Sequence, residues 1–197
     1  MMSHFIFRAD ATKPEYCQIW KYPSALSNFY KPTVGKPLGT EYPQGLSFQM
    51  APEVSGVRIP DVIPNTLGYL LVSARMNDLL AQHATEPIEF LRFTLLNHKG
   101  RPASDECYIV NVLGTRPWGD MERSMGARIT APSGDQQFDR LRRLYLKGEE
   151  VDANVNLFRL TMMPRVILVR EDLKALMEAQ GMTGTAFFPL GTKVDIQ

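Results

Sequence analysis

The chain is poor in cysteine and histidine, has no excess of charge of either sign, and contains no long apolar run. Its two cysteines, Cys17 and Cys107, lie far apart with no second pair, so the disulfide framework of a small secreted domain is excluded and both read as reduced thiols. Lys and Arg total 22 against 21 for Asp and Glu, a net charge of +1. That balance supplies no field to concentrate the protein on nucleic acid or an anionic membrane. No stretch approaches the roughly 20 apolar residues of a membrane span. The first ten residues mix Ser3, His4, Arg8 and Asp10 with a short apolar run, unlike a signal peptide. The expected compartment is the cytoplasm, with no nucleic-acid or membrane partner.

What the chain does contain is globular in character, with 44% hydrophobic and 22% charged residues. At 197 residues it fits a single domain, able to bury roughly 70% of its unfolded surface. The expected organisation is one domain over residues 1–197, a proline-rich part (1–66) wrapped on a core (67–197). Eight of the fourteen prolines lie between Pro14 and Pro64, with Gly35, Gly39, Gly45 and Gly56 among them. Such punctuation predicts ordered loops and short strands, such as Leu46 to Met50, instead of long helices. Trp20, Tyr22, Phe29, Tyr30, Tyr42 and Phe48 run through the same stretch, which argues against a disordered tail.

Phe5-Ile6-Phe7 opens a first strand, and Tyr69 to Val72 reads as a buried one. Ser73 can cap the helix that follows, with Met76, Leu79 and Leu80 on one face. In Ile88 to Leu96, Leu91, Phe93 and Leu95 share one face while Ile88 and Phe90 take the other. Cys107 to Leu113 is its expected antiparallel neighbour. Ser133 and Gln136 have the spacing of a capping box, and Phe138, Leu141, Leu144 and Tyr145 form a stripe ending at Gly148, so a helix is predicted there. Leu157 to Leu160 and Val166 to Val169 read as strands. A further helix begins near Glu171 and Asp172, buries Leu173, Leu176 and Met177, and stops at Gly181, before a strand from Thr185 to Leu190. The predicted class is α+β, a mixed, largely antiparallel sheet packed with about three helices.

Two of these units resemble each other. Leu70-Leu71-Val72 with Met76, Leu79 and Leu80 repeats as Ile167-Leu168-Val169 with Leu173, Leu176 and Met177, a shift of 97 (167 minus 70). Either a duplication or one packing solution reached twice gives this pattern. On both accounts the two copies are expected in one core.

Chemistry-bearing motifs are sparse. His4, His83 and His98 have no ligand-spaced company, and no HExxH, CxxC, GxxxxGK[ST], GxGxxG or GxSxG string occurs. The glycines at Gly181 and Gly184 follow a helix and read as a C-cap and turn. Cys17 or Cys107 could pair with a distant histidine as a nucleophile, but a small apolar core thiol is the weightier reading. Arg140, Arg142, Arg143 and Lys147, interrupted by Asp135 and Asp139, are expected on a solvated helix face. No catalytic residue, metal or cofactor is assigned. The densest polar cluster is Asp120, Glu122 and Arg123 beside Trp118. Flanking arginines keep such carboxylates ionised, so an ion-paired turn outweighs an acid and base pair. An aromatic among charges also suits a partner-binding surface, and these four residues are the expected contacts.

Leu70 to Ser73 with its helix, Tyr108 to Leu113 followed by Asp120 to Ser124, Leu157 to Leu160, and Ile167 through Phe187 with Gly181-Met182-Thr183-Gly184 together resemble one bacterial family. It is that of immunity proteins of polymorphic toxin systems, typified by a myxobacterial member and formerly a domain of unknown function. The similarity spans roughly residues 67 to 190. The resemblance implies a non-enzymatic cytoplasmic protein that binds a cognate toxin and blocks its active site or its access to substrate. Immunity proteins often meet basic nuclease toxins with acidic surface. With no such excess here, either a local acidic patch at Asp120 and Glu122 or a toxin that is not strongly basic is expected. The rival readings are an enzyme with an unfamiliar site, hydrolase or transferase, and an adaptor module of a secretion system.

Overall fold

A computed structural model describes residues 2–197. Its strands are β1 (His4–Ala9), β2 (Ser47–Gln49), β3 (Val62–Ile63), β4 (Leu71–Ser73), β5 (Ile88–Leu96), β6 (Pro102–Val112), β7 (Met125–Thr130), β8 (Gln136–Arg143), β9 (Leu157–Leu160), β10 (Met163–Arg170) and β11 (Thr185–Pro189). Helix α1 (Ala74–His83) follows β4, and α2 (Glu171–Ala179) follows β10. The strands build a four-stranded sheet, β11-β1-β10-β9, a five-stranded sheet, β2-β5-β6-β4-β3, and the β7-β8 hairpin. All strand pairs are antiparallel except β2 with β5.

Because side chains alternate along a strand, each sheet buries two different sets of residues. Leu91, Phe93 and Leu95 of β5 pack with Phe48 of β2, Leu71, Ile109 and the residues Cys17, Ile19 and Leu38 that precede the sheet. Ile88 and Phe90, on the opposite face, meet a second cluster. That cluster joins Val72 and Val110 of one sheet to Ile167 and Val169 of the other through Met76, Leu80, Leu173 and Met177 of the helices. The far face of the four-stranded sheet, with Ile6, Leu168 and Phe158, carries the hairpin residues Phe138 and Leu141 together with Trp118.

Both helices begin and end as their sequences dictate. Ser73 sits at the N-cap of α1 and its hydroxyl accepts a hydrogen bond from the Met76 amide at 3.4 Å. Glu171 and Asp172 open α2, where carboxylates favour the positive end of the helix dipole. Gly181, at φ +65°, turns the chain out of α2 in the left-handed conformation that glycine adopts without a Cβ clash.

The two units related by the shift of 97 share an architecture. β4 and β5 are each antiparallel to β6 between them, and β10 and β11 are each antiparallel to β1 between them. Each unit is therefore a strand, a helix and a parallel strand split by one antiparallel strand. The splitting strand follows the first unit in the chain but precedes the second, so the two reach the same packing with different connectivity. Their inward residues lie together in the second cluster.

The predicted helix at 133–148 is instead a strand and its flanks. Phe138 pairs with Arg128, Arg140 with Ala127, Leu141 with Gly126 and Arg143 with Met125, so Asp139 and Arg142 are extra residues with nothing opposite. Each bulge adds one residue to the strand's interval of two, which puts Phe138, Leu141 and Leu144, three apart, all in the core. The helix-like stripe is thus a doubly bulged strand. Ser133 caps no helix, its hydroxyl donating to the Asp135 carboxylate at 2.7 Å, while Gln136 Nε2 donates across the hairpin to Thr130 Oγ1. The helices number two, not three, among the described residues. Neither is long and apolar enough to cross a membrane.

Candidate functional site

The chain between β1 and β4 has little regular structure, and its backbone groups must find partners elsewhere. Charged and amide side chains of the sheets provide them. Arg159 on β9 is 1% exposed and faces no carboxylate. It donates to the carbonyls of Pro32 (2.8 Å), Thr33 (3.0 Å), Val112 (2.8 Å) and Pro164 (2.7 Å), which solvate the cation in place of water. Burial lowers its pKa to about 10, so it stays charged at neutral pH. Asn111 Nδ2 donates to the Lys36 carbonyl at 2.8 Å, and the Glu89 carboxylate accepts from the amides of Leu38 (3.0 Å) and Gly39 (2.7 Å). Three anchors thus hold residues 32–39 from beneath.

Ahead of that anchored stretch, a chain of rings leads from the core to the surface. Phe93 meets Phe48 at 4.7 Å, Phe48 meets Tyr69 at 6.4 Å, Tyr69 meets Tyr22 at 5.4 Å, and Tyr22 meets Phe29 at 4.5 Å. The Tyr22 hydroxyl donates to the Leu67 carbonyl and that of Tyr69 to the Phe29 carbonyl, fixing both rings. Phe29 and Tyr30 emerge 47% and 50% exposed.

Two clefts flank this aromatic loop, and Tyr22 lines both. One, of about 480 Å³, runs along β2 beneath Trp20 and between Pro23, Pro43 and Pro52. β2 ends the five-stranded sheet, and the Thr94 amide to Leu46 and Met50 amide to Leu96 bonds show that the even-numbered residues pair with β5. The backbone groups of Ser47 and Gln49 therefore point away from the sheet. The other cleft, of about 690 Å³, is bounded by Arg8, Phe29, Tyr30, Thr66, Arg165 and Phe188. Exposed aromatic rings beside arginines match the composition of protein-binding hot spots.

The sequence matches the Immunity protein family (Imm11) over residues 7–192, nearly its whole length. The chain belongs to the Imm11 family. Among curated proteins no sequence matches it. Membership extends the resemblance noted at residues 67–190 through the proline-rich stretch and both clefts.

In this Imm11 chain the residues singled out at 118–123 lie in one turn. Trp118 is 8% exposed and packs edge-on to Phe158 at 5.0 Å, with the Arg116 guanidinium over its ring. The large indole surface is better buried against β9 than left in water. Asp120 accepts from the amides of Glu122 (3.1 Å) and Arg123 (3.0 Å), which caps a turn. Arg123 lies 4.6 Å from the Tyr145 ring centroid, and Glu122 is exposed. The basic residues expected on a helix face are on or beside β8, and their charges are engaged. Arg140 and Arg142 pair with Asp195, Arg143 donates to the Gly191 carbonyl, and Lys147 pairs with Glu150.

The reactive side chains sit in the interior. Cys17 and Cys107 are free and buried, and burial pushes the Cys17 thiol up to about 12 and the Cys107 thiol up as well. At neutral pH neither is a thiolate nucleophile. His4 packs edge-on to Phe158 at 5.6 Å, and loss of water, then the nearby Arg170 charge, lower its pKa. Sequence reasoning saw the aromatic residues at 20–30 but assigned them to packing. Phe29 and Tyr30 follow Asn28, a non-glycine residue at φ +52°, in a turn whose geometry the sequence does not announce.

Proposed function

We propose that this Imm11 protein is the immunity partner of a bacterial toxin and neutralises it by forming a complex, without bond-making chemistry of its own. The observation that carries the reading is the family match over residues 7–192. The aromatic loop and its two clefts support it, because they present rigid rings and arginines on a surface held from below by Arg159, Asn111 and Glu89. Preorganisation of this kind reduces the ordering cost of association. The clefts carry no acidic excess, which favours a toxin that is not strongly basic over one met by an acidic patch. Glu122 and Arg123, exposed at the base of the hairpin, are available as further contacts. The proposed setting is the cytoplasm of the toxin-producing cell, and the whole chain acts as one domain because the second cluster joins both sheets.

Co-expression with the product of the adjacent gene tests the proposal. Relief of growth arrest together with a stoichiometric complex that survives purification is expected. Relief with no complex overturns simple occlusion and points to an enzymatic antidote.

A further inference from the structure

The next step rests on the toxin-binding proposal and specifies what is bound. Arg8 and Arg165 line the larger cleft, and among the described residues neither has a hydrogen-bond, ion-pair or ring partner. Most other arginines are engaged, among them Arg116 with Glu86, Arg140 and Arg142 with Asp195, Arg170 with Asp172, and Arg123 on Tyr145, while Arg101 is exposed in the β5–β6 turn away from the cleft. Asp10, the carboxylate side chain lining the same cleft, accepts from the amide (2.9 Å) and hydroxyl (2.6 Å) of its neighbour Thr12, so it is committed to its own turn. The lining thus sets two unpaired guanidiniums against the Asp10 carboxylate, which is engaged in its own turn, and the main-chain carboxylate of Gln197. The rim of the cleft carries Phe29, Tyr30 and Phe188, which are 47%, 50% and 38% exposed. Arg8 is on β1 and Phe188 on the edge strand β11, and the pairing of these strands holds Arg8 opposite Ala186, two residues from Phe188, so the cation and the ring share one face of the sheet. Arg8 and Arg165 are both exposed, and an unpaired guanidinium there can hold a carboxylate through two charge-assisted hydrogen bonds.

We infer that the larger cleft receives an extended acidic segment of the partner protein, its carboxylates on Arg8 and Arg165 and an apolar side chain among Phe29, Tyr30 and Phe188. Charge complementarity selects this occupant over a basic one, and the exposed rings distinguish it from a purely ionic ligand.

A labelled random copolymer of Glu and Tyr serves as the probe, titrated at low salt into the full chain and into the charge-reversed R8E/R165E protein. The wild-type protein is expected to bind it at least about tenfold more tightly, as loss of charge-assisted bonds at two sites requires, and added salt should narrow the gap. The melting temperature of the variant should be close to wild type, since neither arginine holds another group; should the double variant fail to fold, R8Q and R165Q separately are expected to weaken binding about threefold each. Equal binding by wild-type and variant proteins overturns the inference, as does displacement of the copolymer by a single-stranded DNA oligonucleotide at lower concentration than by unlabelled copolymer. With the toxin, an unchanged Kd for R8E/R165E sinks this inference and leaves the toxin-binding proposal standing. Absence of any wild-type complex sinks that proposal, while the copolymer titration still decides what the cleft takes.

Discussion

The stretch before β4 and the β7–β8 hairpin reach order by opposite means. The first has two short strands and two single turns of 3-10 helix, yet buried polar side chains bind its backbone to the sheets. The second is a hydrogen-bonded ladder interrupted only by its two bulges, yet all six residues of β7 are exposed, including Met125 at 55% and Ile129 at 44%. Membership of a strand ladder is therefore no measure of attachment. What ties a segment down is the number of its groups that would lose both water and partner if it lifted away.

Substitutions at the two attachments should break or sharpen that contrast. The largest effect is expected at Trp118, which joins the hairpin cluster to β9: Trp118→Ala should lower unfolding stability by about 3–5 kcal/mol, read from a denaturant midpoint. An unchanged midpoint would mean that the hairpin side has no core of its own. Arg159→Met strands four carbonyls and is expected to cost about 3 kcal/mol, accompanied by faster proteolysis near residues 32–39. Arg159→Lys, with fewer and differently directed donors, should fall between the two. Glu89→Gln keeps the shape but removes the charge accepting the Leu38 and Gly39 amides, at about 1–2 kcal/mol.

A pH series probes the underside of the four-stranded sheet. The folded-state pKa of His4 lies below its ordinary 6.5, chiefly because burial penalises the cation. The folded protein therefore binds fewer protons than the unfolded chain, and stability present above pH 6.5 declines as pH falls through that value. Thermal melts at pH 7, 6 and 5 should show this decline, and His4→Phe should flatten it. The smallest effect is expected on the outer face of β7, where Ile129→Thr should change stability by less than about 0.5 kcal/mol. A larger loss would show that this face is covered in solution.

Elements whose pattern follows from local rules were legible. The two-faced run of β5, the Ser73 cap of α1 and the Gly181 stop of α2 each follow from residues within one or two turns of one another. The stripe at Phe138, Leu141 and Leu144 misled because a bulge is recognised only by the residue it fails to face, and Met125 to Thr130 is remote in a one-dimensional reading. The burial of Trp118 was hidden for a related reason. Its neighbours in the chain, Pro117, Gly119 and Asp120, suit a surface turn, while the ring it contacts is Phe158.

By itself, the amino-acid order determined an α+β protein with two like strand–helix units, reduced buried thiols and a resemblance to immunity proteins. Only the tertiary structure decided which aromatics face water, which arginines are already spent on carbonyls and carboxylates, and which two stand free beside a cleft. The physical reason is range. Helix caps and strand alternation are settled among neighbours in sequence, whereas the burial of a ring or the pairing of a charge depends on groups that meet only when distant strands close the core.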